Sequence, residues 1–329
     1  MDFNMRFQGV EAKPFKESQK EGVACQHETI WHLPSQVGKG TIRRIRVASG
    51  FILFLADYQI NQSLTIDIDY PRPGLGFGFF ISGSARGQAR GMRNNVRGVG
   101  GQSNIIYYQD QTGVTTDAPN SHRQSVSIIL EPEVFLSMFH DGFGNTTTDL
   151  CRIGERSAGT PLLHFQGLTT QMYTALNQVF NTPLNGPTRK LYLEGKALEL
   201  IALRVNTLLD LSAKPKETYR FSTADMGRIN DAAELLAINM LTPPTLSTLS
   251  RTVGLSHTKL NRGFRKAFGT TVFGYLRRVR LQRAKRFLES RQMNVTEASF
   301  AVGYNSLSSF SKAFQGQFGI PPHSCIKNG

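Results

Sequence analysis

Two short stretches of this 329-residue chain carry side chains suited to reading a polyanion. They are "LSHTKLNRGFRKAFG" (255–269) and "SLSSFSKAFQGQFG" (306–319). Each sets apolar residues at four-residue steps: Leu260, Phe264 and Phe268 in the first, Phe310, Phe314 and Phe318 in the second. In a helix that spacing gathers the apolar residues on one face and turns those between them outward. The outward set is Ser256, Thr258, Asn261, Arg262 and Arg265, then Leu307, Ser308, Ser311, Lys312 and Gln315. Their chemistry is hydrogen-bond donation rather than bond making. Arginine and lysine donate to guanine, asparagine pairs with adenine, and small hydroxyls admit close approach in a DNA major groove. A helical hairpin with a solvated polar face has the same composition, so one stretch alone leaves both possibilities open.

The repetition tips the balance. "VGLSHTKLNRGFRKAFG" (253–269) aligns with "VGYNSLSSFSKAFQGQFG" (302–319), the second copy carrying one extra residue in its turn. Internal repeats mark repeated structural units. Each copy predicts helix, tight turn, helix. Gly254 and Gly303 sit at the turns, where positive φ suits glycine. Ser256 in the first copy, and Asn305 or Ser306 in the second, can cap the helix that follows. A helix over 270–290 joins the copies, with Val272, Leu276, Val279 and Phe287 on one face and Arg278, Lys285 and Arg286 pointing elsewhere, toward phosphates. Arg280 and Arg283 fall inside the apolar arc and are expected to pair with a carboxylate. Heads entering successive major grooves would stand about 34 Å apart.

The rest of the chain must position these heads. From Tyr219 onward there are 16 Lys and Arg against 5 Asp and Glu, a net charge of +11, whereas the preceding 218 residues hold 22 against 19. A basic region of that size attracts nucleic acid through counterion release. Upstream, "IRRIRVASGFILFLADYQI", "SLTIDIDY", Asn104–Tyr108 and Ser125–Leu130 read as strands, and residues 72–104 contain nine glycines. Strands broken by glycine-rich turns predict an antiparallel sandwich or barrel. Past residue 130 the period becomes helical, over 168–180 and 189–211. In the second helix Leu193, Ala197, Leu200, Ile201, Arg204, Val205 and Leu208 form one stripe, fit either for a second subunit or for the chain's own core. "SAKPKETYR" (212–220) reads as a linker. Arg43, Arg44, Phe51, Phe54 and Tyr58 are open to two uses, as ordinary strand residues or as the lining of a ligand pocket.

Several classes find no support. No apolar run approaches the roughly 20 residues of a membrane span, and the N-terminus lacks a secretory pattern. Three distant cysteines (Cys25, Cys151, Cys325) suit reduced thiols in the cytoplasm. The seven histidines lack metal-ligand spacing, and no Gly-x-Ser-x-Gly elbow is present around Ser82 and Ser84. The expectation is therefore no enzyme, no metal and no cofactor.

The segments "TLSTLSRTVGLSHTKLNRGFRKAFG", "VFGYLRRVRLQRAKRFL" and "AVGYNSLSSFSKAFQGQFGIPP" together resemble the AraC/XylS family of bacterial transcription regulators, over 224–324. Ala298, Ser299 and Ser250 depart from the family's usual residues in the first helix of each unit. The resemblance implies an α+β protein. An N-terminal cupin-like β-sandwich or barrel with dimerisation helices (1–211) would sense an effector, a linker (212–220) would follow, and an all-α double helix-turn-helix domain (221–329) would bind promoter DNA. In the family's motif Thr258, Asn261 and Arg262 take base-contacting places in the first head, and Leu307, Ser308, Ser311 and Lys312 in the second. "YLEGKALELIALRV" further resembles the subgroup of pyochelin-type siderophore regulators, which implies a small-molecule effector, a ferric siderophore among the candidates. Family analogy also implies a homodimer, activation rather than repression, and RNA polymerase as partner. A ligand-independent or architectural DNA binder is the alternative.

Overall fold

A computed structural model describes residues 4–8, 28–69, 73–89, 96–108, 112–138, 163–213 and 221–326. Cys25, Cys151, His27, His140 and most of the expected linker lie outside these residues. The chain divides into two compact units. One comprises residues 1–165 and 175–216, the other 166–174 and 217–329.

The first unit is built on two sheets. One has five strands in the order β1-β5-β10-β7-β8: β1 Asn4–Gln8, β5 Leu64–Asp69, β10 Gly113–Asp117, β7 Ser84–Ala89 and β8 Val96–Val99. The other has seven, in the order β12-β9-β6-β11-β4-β3-β2: β12 Leu163–Gly167, β9 Gln102–Tyr108, β6 Gly74–Ser82, β11 His122–Leu130, β4 Phe51–Ile60, β3 Gly38–Ala48 and β2 Glu28–His32. Both sheets are open, so of sandwich and barrel the molecule is the sandwich. Antiparallel pairing sets Val126 against Leu55 on one side and Phe79 on the other. In β5 Leu64 and Ile66 are buried and Ile68 is half-buried. By contrast β6 is buried along nearly its whole length. The helix α1 (Pro132–Ser137) packs against it, with Phe135 5.8 Å from Phe77 between ring centroids.

Helices α2 (Thr170–Phe180) and α3 (Gly186–Ala213) follow. The stripe expected on α3 is buried: Leu193, Ala197, Leu200, Ile201, Arg204 and Val205 are each almost fully enclosed, and α3 packs on β3 within the same unit. Arg204 is tolerated there because its Nη2 contacts His164 Nδ1 at 2.7 Å and donates to the His164 carbonyl at 3.2 Å. Burial brings its pKa down to about 10.

The second unit is helical. It contains α4 (Thr223–Ile238), α5 (Leu246–Val253), α6 (His257–Phe268), α7 (Val272–Glu289), α8 (Val295–Ala301), α9 (Leu307–Phe318) and a closing 3-10 turn, Pro322–Cys325. Each helix from α4 to α9 starts on a side-chain cap: Ser222, Thr245, Ser256, Thr271, Asn294 and Ser306 accept from the backbone of the first turn. Such caps contribute about 1 kcal/mol each. Six in sequence explain why short, serine-rich segments hold helical ends. Two cores result, one per repeat. In the first, Phe264, Phe268 and Tyr275 form a ring cluster with centroids 4.5–5.6 Å apart. In the second, Phe310 and Phe314 pack with Leu281, Ala284, Leu288 and Val302.

Candidate functional site

Helix α6 begins where Gly254, at φ +65°, ends α5 and Ser256 accepts from the Lys259 amide. Its inward face is Leu260, Phe264, Ala267 and Phe268, all fully buried. Its outward face then follows from the period: Ser256, Thr258, Arg262 and Arg265 are exposed and Asn261 is half-buried. The Asn261 amide donates back to the His257 carbonyl at 3.3 Å. The second copy repeats the plan. Gly303 turns at φ +81°, Ser306 rather than Asn305 is the cap, and Phe310 and Phe314 are fully buried. Leu307, Ser308, Lys312 and Gln315 are exposed and Ser311 is half-buried. The ten residues therefore fall into two outward faces, one on each of two capped, anchored helices. Beneath the first, Lys259 Nζ lies 2.7 Å from Asp225 Oδ1 and fastens α6 to α4. The hydrogen bond from Lys259, with those of the Ser222 cap, holds the Asp225 carboxyl at about 2.

The joining helix α7 differs from expectation at three cations. Among the described residues Arg280 meets carbonyls rather than a carboxylate: its Nε and Nη2 donate to the Met240 carbonyl at 2.9 and 2.7 Å, and its Nη1 to the Gly303 carbonyl at 3.3 Å. Helix ends leave carbonyls without partners, and a forked guanidinium satisfies them as well as an acid would satisfy it. Arg283 is exposed and lies over the Phe287 ring at 5.6 Å. Lys285, expected to meet phosphates, is buried, 2.9 Å from Glu289 and over the Phe318 ring. Of the three outward cations, Arg278 is also engaged, donating to the Phe268 carbonyl at 2.7 Å.

A second candidate lies in the first unit. Between its two sheets is a cavity of about 210 Å³. Phe54 and Tyr58 line it as the sequence allowed, whereas Arg43, Arg44 and Phe51 do not. Arg43 pairs with Glu28 at 3.5 Å, and Arg44 donates to Thr29 at 2.9 Å over the Trp31 ring. The arginine that does face the cavity is Arg123, which sequence reasoning missed. A lone arginine within the alternating strand "HRQSVSIIL" is the signal that could have found it. Arg123 Nη1 lies 3.2 Å from Asp117 Oδ1, and the Tyr58 hydroxyl donates to Asp117 Oδ2. Burial opposes the Arg123 cation, yet Tyr58 and Asp117 raise its pKa above the ordinary guanidinium value. Burial likewise raises Tyr58, and pushes Tyr108, also in the lining, up to about 12. At neutral pH the cavity lining thus presents the Arg123 guanidinium, whose partner Asp117 stands outside the lining, the protonated phenols of Tyr58 and Tyr108, and Asn104, Ser125 and Ser127 among apolar walls.

Ser82, His122 and Asp57 also come together, with Ser82 Oγ 3.0 Å from His122 Nδ1 and His122 Nε2 2.9 Å from Asp57 Oδ1. The residue types are those of a hydrolytic triad, but none of the three lines the cavity. Ser82 Oγ also donates to the His122 carbonyl at 3.2 Å, and Gln124 donates to Asp57 at 3.0 Å. That is a closed network joining strands. Among the described residues no group of His, Cys, Asp and Glu is placed to hold a metal, and no helix is long and apolar enough to cross a membrane.

Residues 38–220 match the family described as the regulatory protein PchR N-terminal domain, and residues 249–328 match a helix-turn-helix domain. The regulatory protein PchR of Pseudomonas aeruginosa is 40% identical over 140 residues, 43% of this chain and 47% of that protein. The Msm operon regulatory protein of Streptococcus mutans is 26% identical over 157 residues, 47% of this chain and 53% of the relative. The HTH-type transcriptional regulator GlxA of Rhizobium meliloti is 30% identical over 117 residues, 34% and 36% of the two chains. The chain thus spans about half the length, or less, of these relatives. A solved AraC-type regulator from Chromobacterium violaceum is 25% identical, covering 32% of this chain and 94% of that one, with a TM-score of 0.30, too low for an overall likeness. Because the N-terminal family covers more than half of the chain and joins a helix-turn-helix region, the protein belongs to the AraC/XylS-type regulators that carry a PchR N-terminal domain.

Proposed function

We propose that this protein regulates transcription by reading promoter DNA with α6 and α9 under the control of a small molecule held between its sheets. The observation that carries the DNA half is the pair of outward polar faces, each fixed by buried aromatic anchors on a capped helix. In this reading Thr258, Asn261 and Arg262 meet bases in one groove, and Leu307, Ser308, Ser311 and Lys312 in the next, with Ser256, Arg265 and Gln315 beside the backbone. The division into residues 1–211, 212–220 and 221–329 is proposed with it. The cavity supports the sensing half over a ligand-independent regulator. Since Asp117 already neutralises Arg123, the site suits a largely apolar molecule with neutral hydrogen-bonding groups. Ferric siderophores, brought in by the subgroup resemblance, are the first ligands to test. Ligand binding would shift the population able to place both heads on DNA. Activation through RNA polymerase and a homodimer complete the proposal. For the dimer, the outer side of α3 offers Leu191 and Leu198, 71% and 40% exposed, because the inner stripe is already spent on the protein's own core.

The test starts from the full-length protein and a random-sequence DNA pool. The expected product is a site of two conserved blocks about one helical turn apart, roughly 34 Å. Affinity for that site should change with ligand in the native protein and stay constant in Ser127→Phe, which fills the cavity. Recovery of no preferred sequence would end the DNA reading. An unchanged ligand response in Ser127→Phe would end the cavity assignment.

A further inference from the structure

We infer that Arg280 is the positioning residue that fixes the two reading heads relative to each other. The inference rests on the two-headed reading of DNA proposed above. Met240 follows the C-terminus of α4, the helix that packs against α5 and α6 in the first head. Gly303 is the turn residue between α8 and α9 in the second. Both carbonyls stand just past helix C-termini, where acceptors go unpaired and the helix dipole is negative. One guanidinium answers both, with two donors on Met240 and one on Gly303.

The repeat isolates what is special about this arginine. In the first copy Arg228, on α4, donates Nη1 to the Gly254 carbonyl at 3.3 Å. Arg280, on α7, does the same for Gly303 in the second. Each turn glycine is therefore held by an arginine from the helix beneath it. Arg280 differs in also reaching the first head at Met240, so the same contact that steadies one turn spans the two repeats. Gly303 permits the approach: a Cβ there would stand 3.0 Å from Arg280 Nη2. Lysine cannot replace the fork, since its single ammonium lacks the planar, divergent donors needed to address two carbonyls in fixed directions.

A rigid pair of heads binds its two blocks as one event, whereas loosely related heads lose that gain. The experiment uses full-length protein, the selected two-block DNA, the same DNA with one block scrambled, and versions with one base pair added or removed between blocks. Arg280→Gln and Arg280→Lys should keep single-block affinity within about twofold while the native advantage of the intact site shrinks about tenfold or more. Both variants should also tolerate altered spacing that the native protein rejects. A merely structural role would lower binding to every DNA alike, and that result overturns the inference. So does a native spacing preference retained in both variants. Should Arg280→Gln melt below the assay temperature, Arg280→Lys, which keeps the charge, decides by the same ratio. If the native protein itself gains nothing from the second block, the two-headed reading fails instead.

Discussion

A side chain that reads DNA must be held by its helix yet unspent in the fold, and Arg262 meets the geometric half of that demand: it is exposed on a helix whose opposite face is fully buried. Arg262→Ala should cost about 1–3 kcal/mol of binding and relax base preference at one position of the site. Competition assays across single-base variants check this, and an equal loss on all sequences would reassign Arg262 to phosphate. Lys312→Ala should act in the same way on the second block only. Asp225 makes a different demand, because its role is to fasten the first head. Its carboxyl sits at about 2 against an ordinary 3.8, chiefly through Lys259. A group whose folded value is depressed stabilises above the unfolded value, and that stabilisation is lost as pH falls from about 4 through about 2. Melting temperatures of the native protein and Asp225→Asn should therefore converge in that window and differ above it. A difference independent of pH would mean that the ion pair contributes nothing.

At the scale of the element, each helix proposed to read DNA is a short polar segment that cannot hold itself. Isolated helices of about 12 residues are marginal in water, so α6 and α9 depend on their caps and anchors. Phe264 and Phe314 occupy equivalent places and both are fully buried. Phe314→Ala should remove about 3–5 kcal/mol of stability, read by denaturant titration, and should take the second block of the footprint with it. Loss of stability with an intact two-block footprint would separate the anchor from the reading face. The serines that depart from the family's usual residues are accommodated: Ser250 and Ser299 are buried, and each donates to the carbonyl three residues back. A buried hydroxyl with a partner costs little, so the first helix of each unit keeps its packing.

For the whole molecule, the decisive asymmetry is charge. The last 111 residues hold a net +11 of the chain's +14, and several of those cations are spent internally, as Arg280, Arg278 and Lys285 are. In the proposed reading, Arg262, Arg265 and Lys312 on the outward faces supply phosphate and base contacts. Affinity for DNA should fall steeply with salt, with log K linear in log salt and a slope near −0.9 for each phosphate neutralised. Titration between low and physiological salt measures it, and a flat response would contradict a phosphate-borne interface.

Much of the C-terminal unit was legible in the sequence. Repeated Val-Gly turns, four-residue aromatic steps and serine caps are local signals, and the forces that read them, helix periodicity and capping, act over a few residues. The sandwich was legible as a class from its broken, alternating strands. What only the tertiary structure decided were long-range partnerships. Arg280 finds carbonyls 40 and 23 residues away instead of a carboxylate. Lys285 turns inward, Arg123 rather than Arg43 or Arg44 faces the cavity, and the α3 stripe closes on its own sheet. Side-chain type and spacing determine which face a residue occupies. Which neighbour that face meets depends on how distant segments pack, because a buried cation takes whichever acceptors the packing brings within reach.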